Sequence, residues 1–156
     1  MHNPLSHQYF PYPIQILCAI ISYELFRNER YLIIMNIIIV GCGKVGCTLV
    51  EALSIENHNI VVIDSRPEKV SALTDTVDVM GIVGNGVSHT TLKQAGIETA
   101  DLLIAVTGSD EENLLCCVIA KKSGHCQTIA RIRNPIYNEE KDFLQKEFGL
   151  SMIINP

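Results

Sequence analysis

The segment from Asn36 to Asp64, NIIIVGCGKVGCTLVEALSIENHNIVVID, leaves few folds open. Asn36–Val40 is too apolar for a strand with one wet face and reads as a strand buried on both sides. Gly41, Gly43 and Gly46 follow at once in the spacing G-x-G-x-x-G. In a strand–turn–helix unit each glycine has its own task. The first permits the tight turn, the second lets backbone approach a pyrophosphate, and the third lets the helix sit close on the strand. The helix expected from Val45 to about Ile55 would aim its free N–H groups and positive dipole end at that phosphate. Asp64 closes the next apolar run eighteen residues after Gly46, where a ribose-binding carboxylate is expected. The plain alternative is a βαβ turn whose glycines serve packing alone, with Asp64 a solvated strand end. Strand, helix and acid together favour a dinucleotide or nucleotide site.

The rest of the chain continues the alternation. A helix opens at Ser65-Arg66-Pro67 and runs to about Asp75, and a third strand spans 78–83. Gly84-Asn85-Gly86 makes a turn suited to positive φ. Ser88 caps a short helix through Ala95, ended by Gly96. Leu102 to Val106 is a fourth buried strand. Ser109 caps the next helix, with Asp110, Glu111 and Glu112 in its first turn, and Gly124 stops it. Residues 127–131 form strand five, a helix from Asn134-Pro135 continues through Phe148, and 151–154 is strand six. Such alternation implies an α/β fold: a doubly wound, Rossmann-type parallel sheet of six strands, order 3-2-1-4-5-6, with helices on both faces. That order brings Gly84 to Gly86, Thr107, Gly108 and Arg131 to the edge that carries the glycine turn. Arg133 alternates away from Arg131 and is expected to be structural.

Residues 1–34 read differently. His2 to Pro13 is rich in Pro, His and Tyr without periodicity and is expected to be disordered. Ile14 to Phe26 is short for a bilayer span, interrupted by Gln15 and Glu24, and preceded by no lysine or arginine. A short amphipathic helix for membrane or partner contact is the alternative. Residues 1–34 are therefore read as an N-terminal extension, with the domain spanning 35–156 and Met35 its expected start.

A net charge of −5 with no basic run argues against a nucleic-acid surface. The six cysteines include no C-x-x-C pair and read as reduced thiols. There is no internal repeat or low-complexity tract. Three further chemistries rest on particular residues. Tyr137 and Lys141 have the Y-x-x-x-K spacing of a small NAD-dependent oxidoreductase, with Ser123 upstream, but the glycine spacing differs from that of such enzymes. Cys47, in the first helical turn beside Cys42, would gain a lowered pKa as a thiol-redox sensor. Asp110 and Glu111 would suit Mg²⁺ beside nucleotide phosphates, although helix-start acids more simply face the dipole.

GCGKVG, VVIDSRPEKV, VGNG, LKQAGIETADLLIAVTGSDEENLL and IARIRNPIY together resemble the TrkA N-terminal domain, the RCK nucleotide-binding domain of prokaryotic Trk/Ktr potassium-uptake systems. The resemblance runs from Met35 to Pro156. It implies a non-catalytic cytosolic regulator, peripheral at the inner membrane face through a potassium-translocating membrane subunit, and sensing NAD(H) or, alternatively, ATP/ADP. Carried over by position, Gly41, Cys42, Gly43, Lys44 and Val45, ahead of Gly46, would cradle phosphates. Asp64 with Ser65 would hold the adenosine ribose, and Asn85 and Gly86 would border the adenine. Thr107 and Gly108 would meet the middle of the ligand, and Arg131 the phosphate or distal ribose. Asp64 disfavours a 2′-phosphate, so NAD is expected over NADP, with Arg66 partly countering this. A homo- or hetero-oligomeric ring is also implied. The family's subunit-pairing helix follows the last strand, and this sequence ends at Pro156, as a fragment would or a single-domain version reliant on a companion subunit.

Overall fold

The computed structural model describes residues 34–155, so the readings of the N-terminal extension before Ile34 lie outside the described residues. Among the described residues six strands are interleaved with six helices, two of them between the last two strands. The strands are β1 (Asn36–Val40), β2 (Asn59–Asp64), β3 (Met80–Val83), β4 (Leu102–Ala105), β5 (Gln127–Arg131) and β6 (Met152–Ile154). The helices are α1 (Lys44–Ile55), α2 (Pro67–Thr74), α3 (His89–Gln94), α4 (Asp110–Ser123), α5 (Pro135–Glu139) and α6 (Lys141–Phe148). The sheet is parallel in the order β3-β2-β1-β4-β5-β6, as the alternation implies. Chain direction reverses its walk across the sheet between β1 and β4, so a crevice opens beyond their carboxyl ends.

Alternation within each strand builds two cores. Ile37 and Ile39 of β1 pack with Val62 and Ile104 beneath Leu49, Leu53, Val70 and Leu73 of α1 and α2. Ile38 and Val40 face the other way, with Ile63, Leu103 and Ala105, against Leu92, Leu114, Cys117 and Leu144 from α3, α4 and α6. Burial of each large aliphatic side chain contributes about 1.5–3 kcal/mol, and together the two layers fix the register of β1 between β2 and β4.

Two local expectations are corrected. The helix from Asn134 does not run unbroken to Phe148. Glu140 leaves the helical region at φ −102°, ψ 22°, and its N–H turns back to the Tyr137 carbonyl at 3.2 Å. α5 buries no residue, so packing does not impose continuity on a polar stretch, and Asn138 bonds the Ile132 and Asn134 carbonyls instead. The turn after β3 also makes no use of positive φ at Asn85 or Gly86. Gly86 is small for a different reason: a Cβ there would collide with the Val40 side chain.

Candidate functional site: a cleft at the carboxyl ends of β1 and β4

Gly41 leaves β1 at φ +111°, a left-handed conformation, and donates its N–H to the Ile63 carbonyl at 2.8 Å. A Cβ there would stand 2.9 Å from the Val106 carbonyl group, so the turn is pinned between the ends of β2 and β4. At Gly46 an added Cβ would collide with the Gly41 carbonyl oxygen, which measures how closely α1 sits on the turn. Gly43 differs from both. A Cβ there would meet nothing within 4 Å, and the residue faces open cleft. It is the N-cap of α1, offers no side-chain cap, and no acid occupies the first turn. The first N–H groups of α1 therefore point into the cleft with the positive end of the dipole and no internal carboxylate to satisfy them.

Asp64 ends β2 almost wholly buried, with its side chain 6% exposed. Its carboxylate accepts the Cys42 N–H at 2.7 Å and the Arg66 N–H at 2.9 Å, which ties the glycine turn to the entry of α2. The Arg66 guanidinium completes the shell with Nε and Nη2, each at 3.0 Å. Burial alone would raise the Asp64 pKa. The guanidinium and the two backbone N–H groups outweigh it and hold the carboxyl down at about 2.

The opposite wall comes from the ends of β4 and β5. Asn113 of α4 is fully buried and joins them. Its Oδ1 accepts the Thr107 N–H at 2.8 Å and hydroxyl at 2.7 Å, and its Nδ2 donates to the Thr107 and Arg131 carbonyls at 3.2 and 2.9 Å. Arg131 itself is half-buried, and its Nε is wholly buried with no hydrogen-bond partner among the described residues. Burial lowers its pKa from the ordinary value, and the charge of Arg133 adds to this against the opposing pull of Asp110. The guanidinium stays a cation, so an anion beside it would relieve both effects. Arg133 is structural, as its alternation implies: it donates to the Gly108 carbonyl at 2.7 Å.

These walls enclose a cleft of about 550 Å³, within the range of small-ligand sites. The residues singled out from the sequence meet there: Gly41, Gly43, Lys44, Val45, Asp64, Ser65, Asn85, Gly86, Thr107, Gly108 and Arg131 all line it. Cys42 and Gly46 do not. Cys42 is 2% exposed and offers the cleft only its backbone role toward Asp64, and Gly46 is spent on packing. Gly84 lines the cleft too, as strand order implies, whereas sequence reasoning missed Asn113 as the brace and Glu112 as lining. A polar side chain within the apolar face of α4 was the available signal for Asn113. A larger groove of about 1160 Å³ lies at the other end of the sheet, beside Asn36, His58 and Met80. Among the described residues it is lined by no lysine, arginine or glycine, so these supply no phosphate-site chemistry.

Residues 37–156 match the TrkA-N domain family. The chain belongs to that family. A Trk system potassium uptake protein TrkA homolog from Archaeoglobus fulgidus is 40% identical over 125 residues, covering 78% of this chain and 28% of the relative. One from Methanothermobacter thermautotrophicus is 34% identical over 122 residues, covering 78% and 55%. The chain thus spans between about a quarter and just over half the length of these relatives. Among solved structures, the TrkA-N domain of the Escherichia coli inner membrane protein ybaL superposes with TM-score 0.69 at 25% identity, covering 79% of this chain and 88% of that one. The GsuK channel bound to NAD superposes with TM-score 0.67 at 20% identity, covering 91% and 26%, a likeness of fold.

The three other chemistries find poor support in this TrkA-N domain. Tyr137 and Lys141 fall on either side of the break at Glu140, in α5 and α6. The Tyr137 hydroxyl donates to Glu111 Oε1 at 2.9 Å, and that hydrogen bond raises its pKa. Ser123 spends its hydroxyl on the Ile119 carbonyl at 2.7 Å. The expectation of a lowered Cys47 pKa is reversed: burial, then the Glu51 carboxylate, raise it, because the thiol packs inward and donates to the Cys42 carbonyl. Cys42 is pushed up to about 12 by burial and then by Asp64. Asp110 accepts the Arg133 and Asn134 N–H groups at 3.0 and 2.7 Å, and Glu111 accepts from Ser109 and Tyr137. Both carboxylates are thereby engaged by the fold, and among the described residues no cluster of three or more His, Cys, Asp or Glu is placed to hold a metal.

Proposed function

We propose that the cleft binds an adenine nucleotide, NAD(H) or ATP/ADP, and that the domain is a non-catalytic regulatory part of a potassium-uptake system. The observation that carries the reading is a convergence of unmet needs on one cleft: the uncapped start of α1, open space at Gly43, and the unpartnered Arg131 Nε. A di- or triphosphate supplies acceptors for the α1 N–H groups and the Arg131 guanidinium and occupies the space at Gly43. Gly41 to Val45 would hold the phosphates, Asp64 and Ser65 the ribose, Asn85 and Gly86 the adenine edge, and Thr107, Gly108 and Arg131 the distal portion. The names of the relatives supply the physiological setting, and the GsuK channel has been seen bound to NAD and to ADP.

The partner would be a potassium-translocating membrane subunit, engaged from the cytoplasmic side by a homo- or hetero-oligomeric ring of such domains. No described helix is long and apolar enough to cross a membrane. Regulation then works through a population shift: a ligand that favours one arrangement of the ring biases the membrane subunit by its difference in affinity for the two arrangements. Titration of the purified chain with NAD, NADH, ATP and ADP by calorimetry tests the reading. Saturable binding that Asp64→Ala and Arg131→Ala both weaken is expected. A folded chain that binds none of the four refutes it.

A further inference from the structure

Asp64 is fully subscribed before any ligand arrives. An ionised carboxylate offers about four acceptor positions, and all are taken by Cys42 N–H, Arg66 N–H, Arg66 Nε and Arg66 Nη2. The four bonds are not alike. Those from Cys42 and from the Arg66 backbone are part of the fold, one in the glycine turn and one at the N-cap of α2. The two from the guanidinium are releasable, because the Arg66 side chain is 50% exposed and lies at the rim of the cleft. A ribose diol approaching Asp64 brings hydroxyl donors and needs acceptors. It finds acceptors only where the guanidinium now sits.

We propose that Arg66 is a specificity-determining residue of the ribose subsite: its guanidinium holds the Asp64 acceptors that a ribose diol needs, and an adenosine ligand binds by displacing it. This rests on the reading of the cleft as a nucleotide site and adds to it. A ligand with free 2′- and 3′-hydroxyls must break the two side-chain bonds. A ligand with a 2′-phosphate brings acceptors instead, which suit the guanidinium where it is. Arg66 therefore lowers affinity for NAD and ADP alike, and narrows the preference for NAD over NADP that a bare Asp64 would impose.

The test is calorimetric titration of the full chain with ADP, NAD and NADP, comparing wild type with Arg66→Ala, Arg66→Gln, Asp64→Asn and the double variant Asp64→Asn/Arg66→Ala. An ion pair whose guanidinium is half-exposed corresponds to about a two- to fivefold change. Arg66→Ala and Arg66→Gln are expected to tighten ADP and NAD by that factor together and to weaken NADP. The gain should vanish in the Asp64→Asn background, since the competitor then has no carboxylate to cover. Unchanged or weakened ADP binding in both Arg66 variants, with wild type still binding, overturns the proposal and leaves the nucleotide site standing. Absence of ADP, NAD and NADP binding in every folded chain removes the site and the proposal together.

Discussion

Gly46→Ala separates packing from conformational freedom. Gly46 lies in α1 with helical backbone, so alanine there meets no backbone strain, and helix propensity alone would favour it by about 1 kcal/mol. Space gives the opposite sign. The new Cβ would collide with the Gly41 carbonyl oxygen and stand 2.9 Å from its carbon. Gly41 has nowhere to retreat: it is hydrogen-bonded to Ile63 at 2.8 Å and backed by the Val106 carbonyl. The start of α1 must therefore move outward by roughly 1.5 Å to restore ordinary contact. Overpacking of this kind costs about 1–3 kcal/mol, and collision between two backbone-fixed atoms belongs in the upper part of that range. Net of the propensity gain, stability should fall by about 1–2 kcal/mol, read as a fall in Tm of about 3–6 °C. The same displacement stretches N–H···O bonds to a bound phosphate past useful length, so ADP affinity should drop about tenfold or more. Gly43→Ala is the paired control. Its Cβ meets nothing within 4 Å in the protein, so stability should change by only about 0.5 kcal/mol, while binding still falls because the methyl enters the cleft. Thermal melts and ADP calorimetry on both variants decide. A Gly46→Ala chain as stable as wild type, or a Gly43→Ala chain with undiminished affinity, refutes the division of labour.

Arg131→Ala should weaken nucleotide binding by about ten- to a hundredfold, the worth of a charge-assisted phosphate contact, with no loss of stability because its Nε has no partner in the fold; calorimetry and urea melts report the two separately. Asn113→Ala removes the buried amide that satisfies Thr107 and Arg131, and should cost about 2–3 kcal/mol in chemical denaturation. Asp64 carries a pH dependence. Its pKa falls on folding from 3.8 to about 2, so the ionised form is favoured in the native state. That stability is fully present above the unfolded value and disappears as pH falls from about 5 to 2. The shift corresponds to about 2 kcal/mol, and half-exposed Arg66 trims it toward about 1 kcal/mol. Denaturant midpoints at pH 6 and pH 3 should therefore differ less in Asp64→Asn than in wild type; parallel pH slopes would remove the assignment.

What the sequence determined by itself is the path of the chain. Short apolar runs alternating with helical segments leave a parallel doubly wound sheet as the arrangement that buries both faces of its central strands. The glycine spacing marked the turn, and strand order alone brought Asn85, Thr107 and Arg131 to its edge. These are short-range signals, because periodicity, caps and turn chemistry act within a few residues of chain. What only the tertiary structure decided is which polar groups are already satisfied. Asp64 looks like an open carboxylate until Arg66 is seen seated on it. Tyr137 and Lys141 look like one helical face until the helix breaks at Glu140. Asn113 is an ordinary helix residue until its amide is found joining Thr107 to Arg131, 24 residues apart in sequence. A hydrogen bond selects its partner by distance and direction in space, and neither is written in the order of residues along the chain.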